Sequence, residues 1–298
     1  MTTRSEKDCG MEDRYGIYEQ TELGMTLTAV DHDDERSSYE IRPGTEAIAD
    51  AAFEGQICLE ELFIPASLRH IPEGALSNSG EWSDGCSGII KITLDPGNGD
   101  FEITGDCFCE KLPDGKYKLL RLLGDRKRVV IPGGITVIGR AAFKGHIISE
   151  VFLEGPQLTV CFPAGHAFHL SELLEGFGKN GKLYDFGLYD RFLMQDHYNP
   201  ERIKMACGRI RHPYDMDEAA LDALKAHVSC DAAELREALM ENAKTDSLEE
   251  LASVGALTKE NTDKVIEEAI RTERADMLSW LMNYKNENFG NEEFDFTI

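Results

Sequence analysis

Cysteine and histidine are the residues here whose types could do chemistry, because thiolates and imidazoles bind metals and carry protons near neutral pH. Cys161, His166 and His169 stand at spacings that a metal tolerates. A tetrahedral site needs three or four ligands and no second ligand pair is evident, so a buried thiol and helix-surface histidines are expected, with no metal and no cofactor. Cys107-Phe108-Cys109 could be a redox pair. One-residue spacing on an extended segment puts both thiols on one face, and no helix N-terminus stands by to lower a thiol pKa; packing is the expected role. Gly176-Phe177-Gly178-Lys179-Asn180-Gly181-Lys182-Leu183 imitates a phosphate loop, but Leu183 stands where Ser or Thr must reach magnesium, and the segment follows a predicted helix. A glycine turn ending that helix is expected instead. Asp31, Asp33, Asp34 and Glu35 lack the glycine turn and closing glutamate of a calcium loop, so a solvated acidic loop is expected. With no G-x-S-x-G elbow either, the chain is not expected to be an enzyme and no catalytic residue is assigned. A hydrolase site assembled from distant residues, in a groove between two modules, is the alternative that local spacing does not reveal.

None of these motifs recurs, whereas one apolar skeleton does. Ile41, Ile48 and Phe53, then Ile64, Ile71 and Leu76, then Ile131, Ile138 and Phe143 share spacings of seven and five residues. Leu59, Leu62 and Ile64 match Ile89, Ile92 and Leu94, and both match Ile148, Val151 and Leu153. Units of about 22 residues fall on the scale of leucine-rich solenoids. One unit cannot bury its own apolar face: a buried Ile or Phe contributes roughly 1.5–3 kcal/mol, while ordering each residue costs about 1–2 kcal/mol of backbone entropy. Neighbouring units must supply the other wall of the core. Pro43, Pro65, Pro96 and Pro132 follow the predicted strands and end them, because proline donates no amide hydrogen. Gly44, Gly55, Gly97, Gly133, Gly139 and Gly145 mark the expected bends.

Ile131-Pro132 through Ile138-Gly139-Arg140-Ala141-Ala142-Phe143-Lys144-Gly145 resembles the BspA-type leucine-rich repeat, and Gly85-Cys86-Ser87-Gly88-Ile89 is similar to that family's Gly-Cys turn. Asp95–Phe101 and Pro113–Leu123 look like its variant unit, which carries a β-hairpin. The likeness covers about half of the chain. It departs from the pattern in having few units, in lacking Gly after Ile48 and Ile71, and in an insertion from Ser77 to Asp84. What the resemblance implies is a repeat solenoid acting as an interaction surface, with export to the cell surface as a family habit.

The 298 residues include 55 acidic and 31 basic side chains, a formal net charge of −24. That balance repels phosphate backbones and anionic lipid, so nucleic acid is not an expected partner. No apolar run is long enough for a membrane span, so no membrane insertion is expected. The start, Met1 to Gly16, lacks the apolar core of a signal peptide, which makes the cytoplasm the expected compartment, with the cell surface or secretion as the alternative. Eight cysteines without a disulfide spacing read as reduced thiols.

The expected fold is α+β: a short leucine-rich-repeat solenoid followed by an α-helical, ankyrin-like domain. Residues 1–38 form an N-terminal arm, polar and loose to about Gln20, and a capping strand at Gly24–Val30. Residues 39–185 form the solenoid, ended by a strand at Leu158, Val160 and Phe162 and a capping helix over Gly165–Gly178 with Phe168, Leu170, Leu173, Leu174 and Phe177 inward. Residues 186–285 are helical. Asn199-Pro200 starts one helix, and others are expected at Met216–Val228, Ala232–Asn242, Leu248–Val254, Thr258–Ile270 and Ala275–Tyr284. Leu235, Leu239, Leu248 and Leu251 recur thirty positions later as Val265, Ala269, Leu278 and Leu281, the mark of paired-helix repeats, although the Thr-Pro-Leu-His signature of ankyrin repeats is absent. Residues 286–298 are expected to form an acidic flexible tail, whose alternating Phe294, Phe296 and Ile298 could add to a sheet edge.

Strand parity gives the candidate site. If Leu62, Ile64, Ile92, Leu94, Val129, Ile131, Val151 and Leu153 face the core, then Glu61, Phe63, Lys91, Thr93, Arg128, Val130, Glu150 and Phe152 face outward. Phe63, Val130 and Phe152 would make an apolar stripe flanked by charge, which suits protein docking unless the hairpin or the helical region covers it. A basic run of Lys116, Lys118, Arg121, Arg126, Lys127 and Arg128 lies close by in sequence, suited to the chain's own acidic helices or an acidic partner. The sequence therefore points to a non-enzymatic protein-interaction protein with a protein partner, an exported adhesin being the alternative that the family resemblance implies.

Overall fold

The computed structural model describes residues 15–31, 36–56, 58–76, 89–139, 141–162, 173–179, 183–195 and 198–290. The strands are β1 (Gly16–Thr21), β2 (Gly24–Val30), β3 (Ser38–Glu40), β4 (Ala47–Ile48), β5 (Glu61–Ile64), β6 (Lys91–Leu94), β7 (Phe101–Thr104), β8 (Cys107–Lys111), β9 (Tyr117–Leu122), β10 (Arg128–Ile131), β11 (Ile135–Ile138), β12 (Glu150–Leu153) and β13 (Leu158–Cys161). Seven helices follow among the described residues: α1 (Phe186–Leu193), α2 (Pro200–Arg211), α3 (Glu218–His227), α4 (Ala233–Asn242), α5 (Thr245–Ser253), α6 (Lys259–Arg271) and α7 (Ala275–Phe289). The fold is thus α+β, a β-solenoid followed by a helical region. It divides into two compact units, Met1–Asp125 with Gly134–His146 and Arg126–Gly133 with Ile147–Ile298.

In the first unit, successive repeats pair in parallel: Tyr39 lies opposite Leu62, and Leu62 opposite Ile92. A second line runs through β4, which pairs with β2 and bridges to His70. Ile41, Ile48, Phe53, Ile64, Ile71 and Leu76, the residues at the repeating spacings, are all buried in one cluster. Polar side chains tie layer to layer where the backbone turns. Asn98 donates through Nδ2 to the carbonyls of Pro65 (2.9 Å) and Leu68 (3.0 Å), and Ser67 donates to the carbonyl of Thr45 (2.8 Å). The expected hairpin unit is an antiparallel meander, β7-β8-β9, with β11 parallel to β9.

Two expectations change in this unit. The stretch to Gln20 is not wholly loose, because Gly16–Thr21 pairs antiparallel with β2 as β1. Its side chains are mostly solvent-facing, so no apolar alternation marked it, but Tyr18 packs on the core and its hydroxyl lies 2.9 Å from that of Tyr39. Of the six bend glycines, only Gly44, Gly55 and Gly145 take positive φ. Gly139 serves close approach instead: a Cβ there would lie 2.9 Å from the Leu119 carbonyl oxygen.

In the second unit, β10 and β12 are parallel, with Val129 opposite Val151 and Ile131 opposite Leu153. β13 then runs antiparallel to β12 and ends the ladder. The expected capping helix lies largely outside the described residues, Phe168 and Leu170 included; within it Leu173 and Leu174 are helical, and Leu173 and Phe177 are buried. What closes the ladder here is α2, packed on β13, together with the edge-on rings of Phe162, Tyr184 and Tyr189. The Tyr189 hydroxyl donates to the Cys161 carbonyl at 2.8 Å. Asn199 caps α2 by accepting from the Arg202 amide at 2.8 Å, as the Asn-Pro pair predicted. Beyond it, α2 packs on α5, α4 on α6 and α5 on α7, a stack of helix pairs. Leu235, Leu239, Leu248, Leu251, Val265, Ala269 and Leu281 are buried in it, and Leu278 is half-buried. Helix α7 runs past Tyr284 to Phe289, where Gly290 at φ 75° ends it.

Candidate interaction surface

The outward positions divide between the two units. On β5 and β6, Leu62, Ile64 and Ile92 are buried and Leu94 half-buried, while Glu61 and Phe63 are half-buried and Lys91 and Thr93 exposed. Phe63 lies opposite Thr93 in register, and Lys91 reaches Glu61 at 2.6 Å. An exposed pair of this kind contributes about 0–1 kcal/mol, so it sets charge pattern more than stability.

On β10 and β12, Val129, Ile131, Val151 and Leu153 are buried. Between them Arg128 lies opposite Glu150 and Val130 opposite Phe152 on the outer side. Val130 is 52% exposed in the middle of a regular parallel pair, with Glu150 and Phe152 half-buried. The same face continues onto Thr159 and Cys161 of β13. There α2 covers it: a Cβ on Gly208 would sit in ordinary contact, 3.9 Å, with Cys161 Sγ. Burial, then the nearby Glu150 carboxylate, raise the Cys161 pKa. The helical region thus covers the β13 margin of this face and leaves Val130 in solvent.

The basic run does not form one surface. Arg121 is buried, donating from Nε to the Ile89 carbonyl at 3.0 Å and from Nη1 to the Lys144 carbonyl at 2.6 Å. Burial pulls its pKa down to about 10, so it stays charged at neutral pH. Lys118 is paired with Glu73 at 2.6 Å and Lys116 with Asp114 at 3.7 Å, leaving Arg126, Lys127 and Arg128 as the exposed consecutive part. Close to Arg121, His146 is buried; burial and then the Arg121 charge pull its pKa down to about 3. Neither role was read from the sequence. The signal for Arg121 was there, a lone charge inside Leu119-Leu120-Arg121-Leu122-Leu123, where strand packing leaves little room for solvent.

Cys107 and Cys109 are buried beside Phe108, and burial pushes the Cys107 thiol up to about 12 and that of Cys109 higher still, which removes the thiolate at neutral pH. His166, His169, Asp33, Asp34, Glu35, Cys86 and the centre of the glycine-rich run, Asn180 to Lys182, lie outside the described residues. At the start of that run Gly178 takes φ 68° and Phe177 bridges to Tyr184, a turn. No group of three or more His, Cys, Asp or Glu among the described residues is placed to hold a metal. No helix among them is long and apolar enough to cross a membrane.

Parallel repeat strands, proline-ended and stacked, followed by paired helices define a β-solenoid with a helical extension. No protein-family model matches the chain, and no curated protein matches it. Among solved structures it is similar to a leucine-rich repeat protein from Eubacterium ventriosum ATCC 27560, at 15% identity and a TM-score of 0.33, over 40% of this chain and 30% of that one. It is also similar to a leucine rich cell surface protein from Faecalibacterium prausnitzii A2-165, at 19% identity and a TM-score of 0.30, over 40% of this chain and 36% of that one. The matches span about a third of the length of those structures.

Proposed function

We propose that this is a non-enzymatic protein-binding protein, a BspA-type leucine-rich solenoid joined to ankyrin-like helix pairs, which docks a protein partner on its outward strand positions. Those positions are Arg128, Val130, Glu150 and Phe152 on one sheet and Glu61, Phe63, Lys91 and Thr93 on the other. The observation that carries the reading is Val130, an aliphatic side chain left 52% exposed on a regular strand, opposite Phe152 and next to the Arg128–Glu150 pair. Val130 and Phe152 extend an apolar surface flanked by charge, the character of a protein-docking face. The cytoplasm and the cell surface are both compatible with this role, and fractionation of the native host separates them.

The test is capture from the native host with wild-type, Val130→Asp and Phe63→Asp chains. Val130 is exposed and Phe63 half-buried, so the first substitution changes stability by no more than about 0.5 kcal/mol. The expected result is a partner retained by the wild type and lost by Val130→Asp at an unchanged unfolding midpoint. Identical partner lists for all three chains would remove the proposed face.

A further inference from the structure

The helix stack carries a second surface, read from what each pair does to the one before it. Met240 in α4 is 4% exposed, and Ala243 and Leu248 are buried. The following pair reaches this corner directly: Arg274, between α6 and α7, donates to the carbonyls of Met240 (2.5 Å) and Ala243 (2.8 Å). Thirty positions on, the counterparts are Ile270, Glu273 and Leu278. Ile270 is 59% exposed, Glu273 is exposed and Leu278 half-buried. The same positions are thus buried where a further pair follows and open where none follows among the described residues. Lys285 of α7 pairs with Asp263 of α6 at 2.6 Å, and on α7 Met282, one turn along from Leu278, is itself 40% exposed.

We propose that the outer face of α6–α7, centred on Ile270, Leu278 and Met282, docks a helical hairpin of a partner protein, one carrying an Arg or Lys where α6–α7 carry Arg274. Continuity with the internal stacking interface specifies the hairpin, since helical repeats bury their faces against neighbours. Charge specifies the cation. Glu267 and Glu273 are exposed on either side of Ile270, at the carbonyl end of α6, and the neighbouring Arg271 is engaged with Glu268. A second copy of the chain fits less well, because its own Arg274 is occupied by Met240, Ala243 and Asp276, and a net charge of −24 opposes self-association.

The test extends the full chain with a second copy of residues 261–290, inserted after Gly290, and follows amide exchange in α6 and α7. Exchange across Ile270–Met282 is expected to slow by about tenfold or more in the extended chain and to return to the native rate when Ile270→Asp is added. Equal exchange in native and extended chains overturns the proposal. So does a dimer of the native chain that Ile270→Asp abolishes, which makes the occupant a second copy. Faster exchange at Ile270 on deleting residues 291–298 overturns it as well, because the chain's own end is then the occupant.

Discussion

Arg121 shows how one side chain can hold a repeat together without apolar packing. Its guanidinium satisfies two carbonyls from different turns, those of Ile89 and Lys144, so truncation removes a buried charge and strands two acceptors. Arg121→Ala should lower unfolding free energy by about 2–4 kcal/mol in urea titrations; a loss within experimental error would show that the clamp is not needed. His146 gives a pH signature. Its pKa is about 3 when folded, against 6.5 for the free side chain, so the unfolded chain binds the extra proton throughout that interval. Stability supplied by the neutral ring is therefore complete above pH 6.5 and lost as pH falls toward 3, at up to about 1.4 kcal/mol per pH unit. Comparing urea midpoints at pH 7 and pH 5, His146→Gln should be less sensitive to acid than the wild type, and parallel slopes would refute this. At this scale the sequence was readable where chemistry is local, as in the Asn199 cap. It was silent where it depends on a distant layer: nothing near Arg121 in the chain announces Lys144.

At the scale of elements, the apolar skeleton was legible because each strand buries alternate residues, and parity fixes the outward set once the inward one is known. The β1 strand was not legible, since its stabilisation comes from pairing with β2 while its side chains look outward. The covering of β13 by α2 was equally hidden, because it depends on tertiary packing at Gly208 and on no repeating signal. Two substitutions test individual elements. Gly139→Ala places a methyl 2.9 Å from the Leu119 carbonyl oxygen, so the β9–β11 pair must open. A loss of about 1–3 kcal/mol is expected, read by thermal unfolding, and a neutral effect would mean that the strands approach less closely. Asn199→Ala removes the acceptor for the Arg202 amide and should cost about 1 kcal/mol; wild-type stability would show that the cap contributes nothing.

Across the whole molecule, two kinds of repeat meet the same requirement, that a unit too small to bury its own face borrow a wall from the next. In the β part the shared wall is a row of Ile, Leu and Phe at fixed spacing; in the helical part it is Leu235, Leu239, Leu248 and their counterparts. Repeat stacks present extended surfaces, and the proposed docking faces are accordingly placed at the exposed Val130 and Ile270 and not at any single titratable group. The stacked architecture depends on the parallel register that sets Phe63 of β5 directly opposite Thr93 of β6. Its most direct test is the double variant Phe63→Cys with Thr93→Cys, oxidised mildly and mapped by peptide mass. The solenoid predicts a 63–93 cross-link in near-complete yield, since directly opposed strand positions lie within disulfide reach. Failure of that pair to close, with ready closure of Phe63→Cys to Lys91→Cys instead, would contradict the register and the stacked architecture with it.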